Sequence, residues 1–311
     1  MKPLQDVLAL MQLNVNLYHN ARVCGEWLIE EHSEGATCFH MSSQDGYALK
    51  VPGHGEWELK AGDLVIFPRE IPHQMFPASR FPGKGPQRHL SIPEAQNIPG
   101  TSMLCGAVSF RHHSHTRLLD ALPPVLIIKK SEETPWLDHL FGLIHEESLH
   151  NSHLNNPTLS RLCELLITYA VRHFVENNGL SQTGAPKQTT GNQAFLALFA
   201  HPQISRALSA IHAQPGAPWT LERMAEKAAM SRTAFANTFR EVGGMTPGDY
   251  LMWWRMQNAW KALEEGQSVI EVAERFGYRA EASFSRAFHS YFGTTAGRVR
   301  RGTAKQPAQA D

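Results

Sequence analysis

Apolar and polar positions alternate along residues 20–120, interrupted by Gly, Pro and Ser that stop each run after a few residues. Period-two alternation puts successive side chains on opposite faces of an extended chain. The pattern therefore predicts short strands at 26–30, 37–41, 47–51, 56–60, 63–67 and 103–110, an all-β unit. After Pro123 and Pro124 the apolar spacing becomes helical, predicting helices over 134–150 and 158–176. The second carries Leu159, Leu162, Leu166, Ala170 and Phe174 along one side. Such a stripe serves packing within its own domain or, where apolar surface is in surplus, contact with a second copy. Residues 177–193 break every pattern: they hold no aromatic, one leucine and one charge, the composition of a flexible connector.

Beyond the connector the helical spacing returns and repeats. Pro202 opens a helix containing Ile204, Leu208 and Ile211, and Thr220 is a cap for a second with Leu221, Met224, Ala225 and Ala228. Ser231 can cap a third, anchored by Phe235 and Phe239. A short helix, a tight turn and another short helix make a helix-turn-helix unit. About 48 residues later Ser268 and Glu271 form an S-x-x-E capping box, with Val272, Ala273 and Phe276 as the apolar face. Gly277 ends that helix, and Phe284 and Phe288 anchor the next. Laid over each other, Met224-Ala225-Glu226 matches Val272-Ala273-Glu274, Phe235 and Phe239 match Phe284 and Phe288, and Gly244 and Thr246 match Gly293 and Thr295. Between the copies, Thr246 and Pro247 start a long helix with Tyr250, Leu251, Trp254, Ala259 and Leu263 on its buried side. A rod of this kind would set two recognition helices at a fixed separation; at one DNA turn, ~34 Å, a single chain could enter two successive major grooves.

Composition adds the partner. The chain has 311 residues, 42% hydrophobic and 19% charged, enough for two ordinary globular cores. Its zero formal charge conceals an asymmetry: residues 1–200 hold 15 basic against 19 acidic side chains, residues 201–311 hold 14 against 10. A basic C-terminal module is what phosphate binding needs. No apolar run reaches the ~20 residues of a membrane span, and residues 1–13 lack the basic-then-apolar order of a secretion signal, so a cytoplasmic location is expected. Cys24, Cys38, Cys105 and Cys163 lie far apart without a CxxC pair, which points to reduced thiols and away from a four-thiolate zinc site.

The repeated segment resembles the AraC/XylS family of bacterial transcription regulators. The resemblance runs through AxxAxMSRTxFxxxFR at 225–240, GxTPxxY at 244–250 and VAxxFGYxxxxSFSRAFxxxFG at 272–293, about a third of the chain. It departs where a TPxxY-like segment would close the second copy and Thr295-Ala296-Gly297-Arg298-Val299 stands instead. The family likeness places Ser231, Arg232, Thr233, Ala236, Asn237 and Arg240 of the first recognition helix against DNA, and Glu281, Ala282, Ser285 and Arg286 of the second. The chemistry agrees: Arg bonds guanine in bidentate fashion, Asn suits adenine, Glu accepts from cytosine, and Ser or Arg holds phosphate. Double-stranded promoter DNA is the implied partner, with RNA polymerase a second one for an activator.

In the front half, Gly62, Pro68 and His73 resemble the second motif of cupin barrels, with Glu70 where that motif has glycine. His40 resembles the histidine of the first motif, while Ser42 replaces its second histidine. Half a metal site is visible. His32, His54 or the histidines at 112–115 could complete it, and His40 and His73 otherwise serve as polar groups for an effector. Cys105-Gly106 and the LLDALPP run at 118–124 also resemble the cupin-type sensor found in front of some of these regulators. Relatives that sense oxidants through cysteine make Cys24 and Cys105 candidates for a redox switch; Arg22 stands near the first, and an apolar strand surrounds the second.

The expected protein is therefore a non-enzymatic regulator of mixed α and β class without a cofactor. It has a cupin-like β-barrel with a helical pair over 1–176, a linker over 177–193, an all-α double helix-turn-helix domain over 194–302 and a disordered tail over 303–311. A small molecule or oxidant is the expected effector, and a homodimer is one assembly open to the chain. The alternative is a metal-dependent cupin enzyme with an accessory helical domain.

Overall fold

A computed structural model describes residues 2–10, 13–24, 28–29, 36–78, 88–91, 101–110, 115–150, 156–178 and 194–302. In chain order these form α1 (Lys2–Leu10), β1 (Leu13–Cys24), β2 (Thr37–Ser42), β3 (Tyr47–Val51), β4 (Gly55–Leu59), β5 (Leu64–Phe67) and β6 (Gln74–Pro77). There follow β7 (Arg88–Ser91), β8 (Thr101–Phe110), α2 (His115–Asp120), β9 (Leu126–Ile128), α3 (Pro135–His150) and α4 (Pro157–Asn178). The remainder is helical: α5 (Ala194–Ala200), α6 (Pro202–Ala213), α7 (Leu221–Lys227), α8 (Arg232–Gly243), α9 (Pro247–Glu264), α10 (Val269–Arg275), α11 (Glu281–Phe292) and α12 (Ala296–Arg300).

Residues 12–111 and 122–174 make one compact unit, built on two antiparallel sheets. One has the strand order β7-β1-β8-β2-β5-β9 and the other β4-β3-β6. Their inward faces share one core: Cys38, Val65, Phe67, Met103 and Cys105 from the first sheet meet Tyr47, Leu49, Val51, Leu59 and Met75 from the second. The closed ring of the expected barrel is not formed among the described strands, which hydrogen-bond as two separate sheets. Buried Asp63 ties the turn before β5 to the chain after β9. It accepts from the amides of Lys60 and Lys130 and from Lys129 Nζ, each at 2.9 Å. The two expected helices form here as α3 and α4, with the rings of Trp136 and Tyr169 5.5 Å apart.

The second compact unit comprises residues 1–11, 112–121 and 175–311. Residues 1–11 and 112–121, which the sequence reading assigns to the front domain, thus group with the C-terminal helices. Of the expected linker over 177–193, residues 177 and 178 still belong to α4, while 179–193, the tail over 303–311 and most of the expected strand at 26–30 lie outside the described residues.

Local chemistry sets each helix start in the helical unit. His201 Nδ1, Thr220 Oγ1 and Ser231 Oγ accept from the amides of Ile204, Arg223 and Ala234, and Ser268 with Glu271 makes the full reciprocal box. Thr246 and Asp249 make a second box at the head of α9, whose Tyr250, Trp253, Trp254, Ala259, Trp260 and Leu263 are all buried. Both long helices of the repeats end on glycines with positive φ, Gly244 at 66° and Gly293 at 68°. The divergent end of the second copy still forms α12, burying Ala296 and Val299 without a side-chain cap at Thr295.

Candidate functional site

The two repeats bury equivalent faces. In α8, Phe235, Phe239 and Gly243 point inward, and in α11 Phe284, Phe288 and Phe292 do. The α8 face is held by α5: a Cβ on Gly243 would lie 2.5 Å from Leu198 Cδ2, so a larger residue there would force the Leu198 side chain to move. The α11 face stacks on the spacer helix, with Phe288 and Phe292 ring centroids 5.7 and 4.7 Å from Trp260.

Burying these aromatic positions fixes what faces water. On α8, Arg232, Thr233, Asn237 and Arg240 are exposed, with Ala236 half-buried between them. On α11, Glu281, Ala282 and Arg286 are exposed and Ser285 is half-buried. Arg232 pairs with exposed Glu222 of α7 at 3.0 Å, and Arg286 Nη2 donates to Ser283 Oγ at 3.4 Å; exposed contacts of this kind hold a side chain weakly and release it readily. Ser231 is exposed too, but its hydroxyl already accepts from the Ala234 amide at 3.2 Å, which gives it a capping task. Around the second copy, Arg275, Arg279, Arg298, Arg300 and Arg301 add exposed positive charge that motif matching did not single out. Their signal in the sequence is only the basic excess of residues 201–311.

The sheet unit brings together a second set. His40 and His73 are buried, their ring centroids 5.2 Å apart, and His73 stacks on Phe67 at 4.3 Å. The Ile71 carbonyl lies 2.9 Å from His73 Nδ1, which therefore carries the proton. The neighbours of His40 are Cys38 and Glu70, both buried, with Cys38 Sγ 3.6 Å from His40 Nε2. One donor atom from each of these three residues lies within 4.8 Å of the others. Burial, then the Glu70 carboxylate beside it, holds the Cys38 thiol far above the usual thiol range. Cys105 is 2% exposed, and burial likewise raises its thiol. A redox role there draws no support from this geometry, because the reactive species is the thiolate. The Cys24 side chain and the histidines at 32, 112 and 113 lie outside the described residues, and His54 is exposed with Nδ1 3.2 Å from the Pro52 carbonyl. Sequence reasoning passed over Cys38 and Glu70, although Cys38-x-His40 has the spacing that puts both on one face of a strand.

Two helix-turn-helix copies behind a two-sheet unit define a DNA-binding regulator with a sensor-type front domain. Residues 2–176 match the family described as Cupin, and residues 224–302 match the one described as Helix-turn-helix domain. An uncharacterized HTH-type transcriptional regulator of Haemophilus influenzae is 29% identical over 277 residues, 86% of this chain and 88% of that protein. The RCS-specific HTH-type transcriptional activator RclR of Escherichia coli is 28% identical over 266 residues, 84% of this chain and 83% of its own length. A putative AraC-like transcription regulator of Streptomyces lividans is 26% identical over 312 residues, 97% of this chain and 98% of that protein. The chain belongs to the AraC-type transcriptional regulators that carry a cupin domain at the front.

Proposed function

We propose that the chain binds promoter DNA through the exposed faces of α8 and α11 and that its front unit responds to a small-molecule or redox signal. The observation that carries this reading is the matched burial of Phe235 and Phe239 with Phe284 and Phe288, which leaves Asn237, Arg240 and Arg286 outward on equivalent helices. Exposed arginine and asparagine on a short helix behind a turn are the groups that read base edges, and the surrounding arginines suit phosphate. The regulator works without catalysis, in the cytoplasm. No helix among the described residues is long and apolar enough to cross a membrane.

In this reading the two sheets complete a barrel, and residues 177–193 link it to the DNA-binding unit. Leu143 on α3 and Leu165 on α4 are 51% and 47% exposed, apolar surface that supports a homodimer through these helices. An effector acts by shifting the population of chains able to occupy paired half-sites, and an activator would also contact RNA polymerase. Fluorescence anisotropy on promoter fragments from the chain's own genomic neighbourhood tests the reading. Salt-dependent, sequence-selective binding is expected; equal affinity for promoter and scrambled DNA would overturn it.

A further inference from the structure

We propose that Cys38, His40 and Glu70 form a binding site for one divalent transition-metal ion of the zinc class inside the sheet unit. The site goes beyond the DNA-binding reading and does not depend on it. The usual cupin arrangement is absent, because Ser42 occupies the position of the second histidine. The fit must therefore be judged on the donors present.

Their placement is fixed by backbone pairing. Cys38 and His40 sit two apart on β2, hence on one face, and β2 pairs with β5 in the register Cys38 to Phe67 and His40 to Val65. That pairing delivers the chain after β5 back to the start of β2. There the Glu70 amide donates to the Ala36 carbonyl at 2.6 Å and Thr37 Oγ1 to the Pro68 carbonyl at 2.7 Å. All three side chains are thus presented by sheet or by loop tied to sheet, the rigid support a metal site needs.

The distances match the chemistry. With Zn–S of ~2.3 Å and Zn–N of ~2.0 to 2.1 Å, two ligands at a tetrahedral angle stand ~3.6 Å apart. Cys38 Sγ and His40 Nε2 are 3.6 Å apart. One donor atom from each of the three residues lies within 4.8 Å of the others, so a modest closing of the set brings all three to one ion. A thiolate, an imidazole and a carboxylate suit zinc; calcium and magnesium take oxygen donors throughout. Three protein ligands leave the fourth position open to water or a small ligand, as in reactive zinc sites. On binding, the Cys38 S–H proton leaves to solvent and the sulfur becomes the ligand. His73 is a positioning residue: its ring, stacked on Phe67 and fixed by the Ile71 carbonyl, walls the side of His40.

The purified full-length chain, stripped with chelator and reloaded, gives the test by metal analysis and by cobalt substitution. One equivalent of zinc per chain, a raised unfolding temperature and a near-ultraviolet thiolate-to-cobalt band are expected. Cys38→Ala should abolish the band, Glu70→Gln should lower the zinc retained after dialysis below one equivalent per chain, and Cys24→Ser and Cys105→Ser should keep the band. Cys38→Ala replaces a buried thiol by a smaller apolar group, and its circular dichroism and unfolding transition report whether it folds. No stoichiometric metal on folded wild-type chain, or a cobalt band that survives Cys38→Ala, overturns the site. If the metal-free chain still selects promoter DNA in the anisotropy assay while binding no zinc, the metal site falls and the regulator reading stands.

Discussion

Asp6 Oδ2 lies 3.1 Å from His212 Nδ1, joining the first helix of the chain to α6 of the DNA-binding unit. The other imidazole nitrogen, Nε2, is 2.7 Å from the Tyr250 hydroxyl at the head of the spacer helix, and the ring lies flat on Trp254 with centroids 3.7 Å apart. Burial pushes the His212 pKa down to about 4, against the opposing pull of Asp6. The neutral ring therefore donates from Nδ1 to Asp6 and accepts from Tyr250 at Nε2. This relay, beside the buried Leu4, Val7 and Leu10, ties α1 to helices that begin almost two hundred residues later.

A pH dependence follows. Between pH 6.5 and about 4 the unfolded chain protonates its histidine while the folded chain does not. The unfolded state binds more protons there, so stability is full above that window and falls as pH drops through it. The loss is expected to reach about 3 kcal/mol for this buried group. Urea unfolding followed by tryptophan fluorescence at a series of pH values measures it. His212→Gln should flatten the slope across the window; an unchanged slope would place the acid sensitivity elsewhere.

These first elements also show where the sequence was hard to read. In α1 the buried Leu4, Val7 and Leu10 occupy nine residues, too few turns for a helical period to stand out. The strand β1 runs through Asn14, Asn16, His19, Asn20 and Arg22, a polar content that hides an extended segment. The DNA-binding repeats were legible because their phenylalanines recur against the same caps and glycines, giving two readings of one design. Cys38 and Glu70 were not, because their meeting depends on the β2–β5 pairing and nothing local in either segment announces it.

The contact between the two repeats predicts a second effect. A Cβ on Gly216 would fall 2.2 Å from the Arg275 carbonyl oxygen, and one on Gly277, at φ 85°, would fall 2.6 Å from the Gly216 carbonyl oxygen. Arg255 of α9 holds the same turn, donating to the carbonyls of Pro215 at 2.7 Å and Ala217 at 2.9 Å. Backbone must move to admit a methyl group here. Gly216→Ala is expected to destabilise the helical unit by ~1 to 3 kcal/mol and to reduce promoter affinity by more than that stability loss explains, because it displaces one repeat against the other. A denaturation curve with a DNA titration on the same sample separates the two; wild-type behaviour in both would show that the turn has slack.

Core and surface positions of one recognition helix should part company. Phe284 is fully buried, its ring 5.4 Å from Tyr278 and 5.5 Å from Phe288. Phe284→Ala removes that packing and is expected to cost ~3 to 5 kcal/mol of stability, with DNA binding lost through unfolding. Thermal unfolding decides the matter. A variant that kept its transition yet lost DNA affinity would mean that the ring meets DNA and not the core.

Arg286, two residues further on, is exposed, and its guanidinium donates at 3.4 Å to Ser283, a neighbour on the same helix. Arg286→Ala should therefore leave the unfolding transition where it is and lower specific promoter binding by ~1 to 3 kcal/mol. The salt dependence tells which kind of contact was lost. A phosphate contact would weaken promoter and scrambled DNA alike and reduce the slope of log affinity against log salt by about one. A bidentate contact to guanine would weaken the promoter alone and relax selectivity at one base pair. The position on the exposed face, which the match of Phe235 with Phe284 aligns with Asn237 of the first copy, favours the second outcome. An unaltered isotherm on both DNAs would remove this helix from the recognition surface.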